Sequence, residues 1–233
     1  MTVALTFDDG PDPTWTPRVL AALDAAGARA TFFVMGSAAA AHPGLVRATV
    51  AAGHDVQLHC YAHVRHTLLS GSELEVDTDR ALAVLAGLGV APSRWRTPWG
   101  VLGPRTESVA AARGLALTHW TADTEDWAGE RSTVLLARVA DELRPGAVVL
   151  AHDGAGPGAR RVGCAETVAL IAPLVAAIRA AGLEPGAVPT MRAGVRSSNN
   201  GSKFELPFEV RTVPRIGAGP SPPLAAAAGA RPC

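Results

Sequence analysis

Strand-like runs alternate with helix-like stretches along most of this chain, and no other feature limits its possible folds so strongly. Thr2–Phe7 is rich in β-formers, and a helix is predicted from about Trp15 until Gly27 closes it. Arg29–Val34 reads as a second strand, and Pro43 fits the first turn of the next helix, which Gly53 ends. His54–Leu58 reads as strand three. A long helix from about Ser72 carries Leu74, Val76, Ala81, Leu82 and Leu85 at helical spacing. Arg94–Arg96, Leu115–Trp120, Ala147–Ala151 and Leu183–Val188 supply four further strands, with helices expected over about 104–113, 133–143 and 166–181. Seven strands with intervening helices imply a parallel sheet, because parallel neighbours need crossovers of that length. Periodicity leaves two architectures open, an imperfect barrel or an open doubly wound sheet.

The ionisable residues sort to one end of those strands. In a parallel α/β barrel the active site is built where the strands end. Asp8-Asp9-Gly10 follows strand one, and His59 and His63 follow strand three. Arg96-Thr97-Pro98-Trp99-Gly100 follows strand four, Asp123 to Trp127 follow strand five, and His152-Asp153 follows strand six. Each piece has an ordinary explanation alone. Asp-Asp-Gly-Pro is turn chemistry. His59 and His63, four apart, would share one face of a helical turn, as a surface pair or as two ligands of one metal. Arg96 could form an ordinary salt bridge, and His152 could be a satisfied core histidine. Five strand ends delivering such groups to one rim favour a shared site.

In family order, these segments resemble the five motifs of the polysaccharide deacetylase family, also called the NodB-homology domain or carbohydrate esterase family 4. Thr6-Phe7-Asp8-Asp9-Gly10-Pro11 resembles the first motif, His59-Cys60-Tyr61-Ala62-His63 the second and Arg96-Thr97-Pro98-Trp99-Gly100 the third. Asp123-Thr124-Glu125-Asp126-Trp127 is similar to the fourth, and Leu150-Ala151-His152-Asp153 to the fifth. The resemblance implies a distorted (β/α)7 barrel, in agreement with the seven strands.

It also implies roles. Asp9, His59 and His63 would bind one divalent metal ion; Zn²⁺ is the best fit to the mixed N and O donors, with Co²⁺ or another transition metal tolerated. Asp8 would be the general base, held in place by Arg96. His152 would be the general acid, its cationic form supported by Asp126. The backbone N–H of Trp99 would help stabilise the oxyanion, and Trp127 and Leu150 would wall the pocket for the acetyl methyl group. Cys60 departs from the family's Ser or Thr, so a weaker donor braces the histidine loop. His66 is expected to be exposed, and Asp12, His42, His54 and His119 to be structural.

The expected activity is removal of acetyl from an N-acetylated amino sugar, whether polysaccharide, oligosaccharide or glycosylated metabolite. The alternatives are hydrolysis of O-acetyl xylan, of an allantoinase-like cyclic amide, or carbohydrate binding by a pseudoenzyme. Composition narrows the partners. With 48% hydrophobic and 18% charged residues, the 233-residue chain is not disordered in bulk. Its 21 basic and 21 acidic residues balance, which lacks the electrostatic footprint of a nucleic-acid binder. No apolar run reaches membrane-span length, and no protein partner is indicated. Cys60, Cys164 and Cys233 are too dispersed for a disulfide framework or a cysteine zinc cluster. Met1 leads into the first strand without a leader-like segment, so the cytoplasm is the expected location. The deacetylase-like domain is assigned to residues 1–196. Residues 197–233, rich in Pro, Gly and Ala, are expected to form a disordered or loosely packed tail.

Overall fold

The computed structural model describes residues 1–189. The tail assigned to 197–233 therefore lies outside the described residues. The central strand β1 (Thr2–Asp8) pairs in parallel with β2 (Thr31–Met35) on one edge and β7 (Val148–His152) on the other. Beyond β2 come β3 (Asp55–Cys60), β4 (Arg94–Trp95) and β5 (Ala116–Leu117), and beyond β7 comes β6 (Ala122–Asp123). All these pairings are parallel. Seven strands thus curl into a distorted half-barrel surrounded by helices. A short β8 (Glu184–Gly186) pairs with Thr2–Ala4. Because Ala4 also pairs with Val148, β8 must lie on the edge of β1 that β2 occupies further along.

The helices are α1 (Thr16–Ala25), α2 (Gly36–Ala41), α3 (Pro43–Ala51), α4 (Gly71–Gly87), α5 (Thr106–Ala112), α6 (Ser132–Val139) and α7 (Ala165–Ala180). Pro43 opens α3 as expected. The α2 helix was not legible, because Gly-Ser-Ala-Ala-Ala-Ala has no apolar periodicity. Ser70 and Glu73 form a reciprocal capping box that fixes the start of α4. Among the described residues no helix is long and apolar enough to cross a membrane.

Alternation along the strands divides oil from chemistry. Val3, Leu5 and Phe7 of β1, Phe32 and Val34 of β2, Val56 and Leu58 of β3, and Val149 and Ala151 of β7 join one hydrophobic core. The alternate positions face the other way, and they include Thr6, Asp8, Gln57, His59, Leu150 and His152. The barrel interior is therefore polar towards the ends of the strands, while the helices cover the apolar face.

The fifth strand differs from expectation. Instead of one run over Leu115–Trp120, the chain forms two short strands, β5 and β6, and the sheet opens between them. The Arg96 guanidinium takes the carbonyls at this seam: Nε donates to Thr118 O at 3.2 Å and an Nη to His119 O at 3.3 Å. Those carbonyls consequently serve a side chain where a continuous strand would serve a neighbour.

Candidate active site

Asp8 ends β1 and is buried, and Arg96 just past β4 is 0% exposed. One Nη of Arg96 donates to Asp8 Oδ1 at 2.8 Å and to Thr6 Oγ1 at 2.7 Å. A fully buried guanidinium requires this degree of satisfaction, since an unpaired buried charge is costly. It also stacks over Phe33, 4.1 Å from the ring centroid.

Asp9 adopts a left-handed backbone with φ 73°, which turns it out of strand register beside the two histidines. Its Oδ1 lies 3.3 Å from His59 Nε2 and 3.2 Å from His63 Nε2. That oxygen is buried and makes no hydrogen bond, and the short distances bring three potential ligand atoms together. The donor atoms all lie within 4.8 Å of one another. His59 Nδ1 is 2.7 Å from the carbonyl oxygen of Arg96, which leaves Nε2 facing Asp9 and fixes the ring. The trio fits a divalent metal ion.

Burial alone would push the Asp9 carboxyl up, but the two imidazoles hold it well below the usual carboxylate range. Burial would lower His59, and Asp9 with Asp8 raises it instead. Gly156, in the loop after β7, covers Asp9 so closely that a Cβ there would sit 2.2 Å from Asp9 Oδ2. Gly156→Ala must therefore displace the carboxylate. Zinc affinity should fall on the order of 10–100-fold with little change in melting temperature, as equilibrium dialysis and thermal melts would show.

The two histidines do not share a helical turn. His59 is on β3, and His63 is in the irregular loop that follows. Spacing of four residues is met here by a strand end and a turn. Asp77 of α4 makes that turn, accepting from Tyr61 N at 2.9 Å and Ala62 N at 2.7 Å. The loop is thus braced by a carboxylate from a helix, whatever Cys60 contributes. Cys60 is buried, and burial pushes its thiol well above the ordinary value, which suits a packing role and not a nucleophile. His66 also departs from expectation. It is 2% exposed, contacts Thr106 Oγ1 at 3.0 Å and packs on Trp95, and burial lowers it to about 4.

Across the site, His152 Nδ1 lies 2.6 Å from Asp126 Oδ1, and the His152 backbone N–H donates to Asp126 Oδ2 at 3.0 Å. Burial works against charge on His152, yet Asp126 overrides it and raises the imidazole to about 9. Burial also opposes charge on Asp126, but His152, Arg161 and Thr167 hold that carboxyl at about 2. Arg161 and Thr167 each donate to Asp126 Oδ2 at 2.6 Å. Neither was identified from sequence: Arg161 sits in a Gly-rich loop, and only the fold returns it to Asp126. Trp99 is 37% exposed, with φ 54°, and packs edge-on against His63 with ring centroids 4.2 Å apart. Trp127 is half-buried next to Asp126, and Leu150 is buried on the inner face of β7.

Fold and site together define a parallel α/β barrel with a three-donor candidate metal centre facing a carboxylate-supported histidine. The chain belongs to the polysaccharide deacetylase family, whose pattern matches residues 1–118. It is 36% identical over 197 residues to a chitooligosaccharide deacetylase of Bradyrhizobium sp. (strain ANU 289), covering 81% of this chain and 90% of the relative. It is 37% identical over 154 residues to the peptidoglycan-N-acetylglucosamine deacetylase PgdA of Listeria monocytogenes, covering 65% of this chain and 32% of the relative. Among solved structures, a family 4 carbohydrate esterase from Streptomyces lividans in complex with acetate superposes with a TM-score of 0.72 at 35% identity. That match covers 79% of this chain and 91% of the esterase.

Proposed function

We propose that this chain is a metal-dependent hydrolase that removes acetyl groups from N-acetylated amino sugars. The observation that carries this reading is the convergence of Asp9, His59 and His63 opposite the His152–Asp126 pair, in a chain of this family. Asp9, His59 and His63 would hold the divalent ion, with Zn²⁺ favoured by two imidazoles and one carboxylate. When bound, the ion supplies Lewis acidity that polarises an acyl carbonyl and makes water a nucleophile near neutral pH.

The chain's own groups do the rest. Asp8 Oδ2 is left to accept the proton of the attacking water, because Oδ1 is held by Arg96. His152 enters the reaction protonated and delivers its proton to the departing nitrogen. Trp127 and Leu150 exclude water from the side where the acetyl methyl group would rest. A charged acid favours amide substrates, since an expelled amine needs that proton more than an alcohol does.

Acetate release from N-acetylglucosamine oligomers and from acetylated xylan, measured with zinc-loaded protein, tests the reading. Turnover of the oligomers supports it. Release from xylan alone, or from neither, overturns it.

The acid must be protonated, so activity is present below its pKa and lost above it. The high-pH limb of kcat should lie on the alkaline side of an ordinary imidazole's, because Asp126 raises His152. Asp126→Asn removes the ion pair while burial persists, so that limb should move to lower pH. A kcat–pH profile whose alkaline limb stays in place would show that another group titrates there.

A further inference from the structure

Each of the two indoles flanking the site carries a guanidinium. Arg65 Cζ lies 4.5 Å from the centroid of Trp99, and Arg160 Cζ lies 5.3 Å from that of Trp127. Trp99 packs on His63, whereas Trp127 follows Asp126 in sequence and accepts a hydrogen bond from the Arg160 backbone N–H at 2.9 Å. One arginine therefore stands on the candidate metal side and the other on the acid side. Both are exposed.

Their charges are unanswered. Arg96, Arg105, Arg113, Arg138 and Arg161 pair with carboxylates; among the described residues Arg65 and Arg160, like several other arginines, have no such partner, and these two stand on the indoles that flank the site. The acidic groups nearest the acid side are engaged elsewhere: Asp126 by His152 and Arg161, Glu125 and Glu130 by Arg138, and Glu166 Oε2 by the Ser132 N–H. Stacking restrains a guanidinium through its face and leaves its N–H edge free, and that edge matches a carboxylate.

We propose that Arg65 and Arg160 are specificity-determining residues that select N-acetylated glycans bearing carboxylates on the sugars flanking the acetamide, over neutral ones. This rests on the deacetylase reading of the same site. The carboxylate could be a uronate or a lactyl ether, and two probes separate them. One is a tetrasaccharide alternating N-acetylglucosamine with glucuronic acid; the other alternates it with N-acetylmuramic acid. Each is compared with its own carboxamide form by calorimetry on the full zinc-loaded chain, with acetate release followed in the same samples.

Two exposed charge pairs predict roughly 2–30-fold tighter binding of the carboxylate form in at least one pair, shrinking at high salt. That ratio should fall to near one in R65Q/R160Q and fall part-way in R65K/R160K, which keeps the charges but not the planar N–H edge and controls for folding. A wild-type ratio within about twofold of one for both probes, or a ratio unchanged in R65Q/R160Q, overturns the proposal. A ratio that behaves as expected, with no acetate released from any sugar, upholds the role of the arginines and overturns the deacetylase reading instead.

Discussion

Asp8→Asn and His152→Ala should each lower amide deacetylation by about 10²–10⁴-fold while zinc content stays unchanged, the usual scale for a general acid or base. Neither residue belongs to the Asp9–His59–His63 trio, so loss of metal would not explain loss of rate. The two variants should differ in pattern. Asn keeps an oxygen for the Arg96 N–H that Asp8 accepts at 2.8 Å, but it has no basic carboxylate to take a proton from water. Asp8→Asn should therefore impair amides and activated esters alike. An ester expels a far weaker base than an amide does and depends less on protonation. His152→Ala should consequently cost much more on N-acetyl sugars than on an activated acetyl ester. Equal losses on both substrates, with metal intact, would remove the leaving-group role from His152. Because Asp8→Asn leaves a buried guanidinium short of its counter-charge, rates should be compared well below the variant's own melting temperature.

Loss of metal is the second large effect. The double variant His59→Ala/His63→Ala should bind no stoichiometric zinc, and either single variant should lose at least about 100-fold in affinity, more than changes in outer-shell partners usually cost. The reason is geometric: each imidazole Nε2 lies within 3.3 Å of Asp9 Oδ1, and removing one leaves two protein donors. Activity should fall with zinc occupancy and not return on adding excess metal to the double variant. Retention of one zinc equivalent at unchanged affinity in that variant, by dialysis and elemental analysis, would show that the ion sits elsewhere.

Much of this site was legible because its parts are contiguous in sequence. Asp8, Asp9, Arg96 and His152 each sit at or just past a strand's C-terminal end, and strand alternation plus crossover length places those ends on one rim. What escaped depends on tertiary return. Asp77 lies on a helix surface by sequence, and nothing local shows that its carboxylate closes the Tyr61–Ala62 turn. Arg161 reads as one basic residue in a glycine loop until the fold lays it on Asp126. The pairing of His59 with His63 was expected from the right spacing for the wrong reason, since a four-residue interval does not separate a helical turn from a strand and its loop. The split of strand five into β5 and β6 was hidden because the seam carbonyl of Thr118 is taken by Arg96, which lies more than twenty positions earlier in the chain.

Arg96 ties inheritance of activity to inheritance of architecture. One guanidinium serves the carboxylate of Asp8, the hydroxyl of Thr6 and the carbonyls of Thr118 and His119. A lysine offers a single ammonium and cannot span that set. With Asp8 as the proposed base, a change at this position would loosen the barrel seam and free the base together, so directed evolution should find no variant there that trades rate against robustness. Any retuning of Asp8 has to come from residues around the guanidinium, while the arginine itself stays fixed.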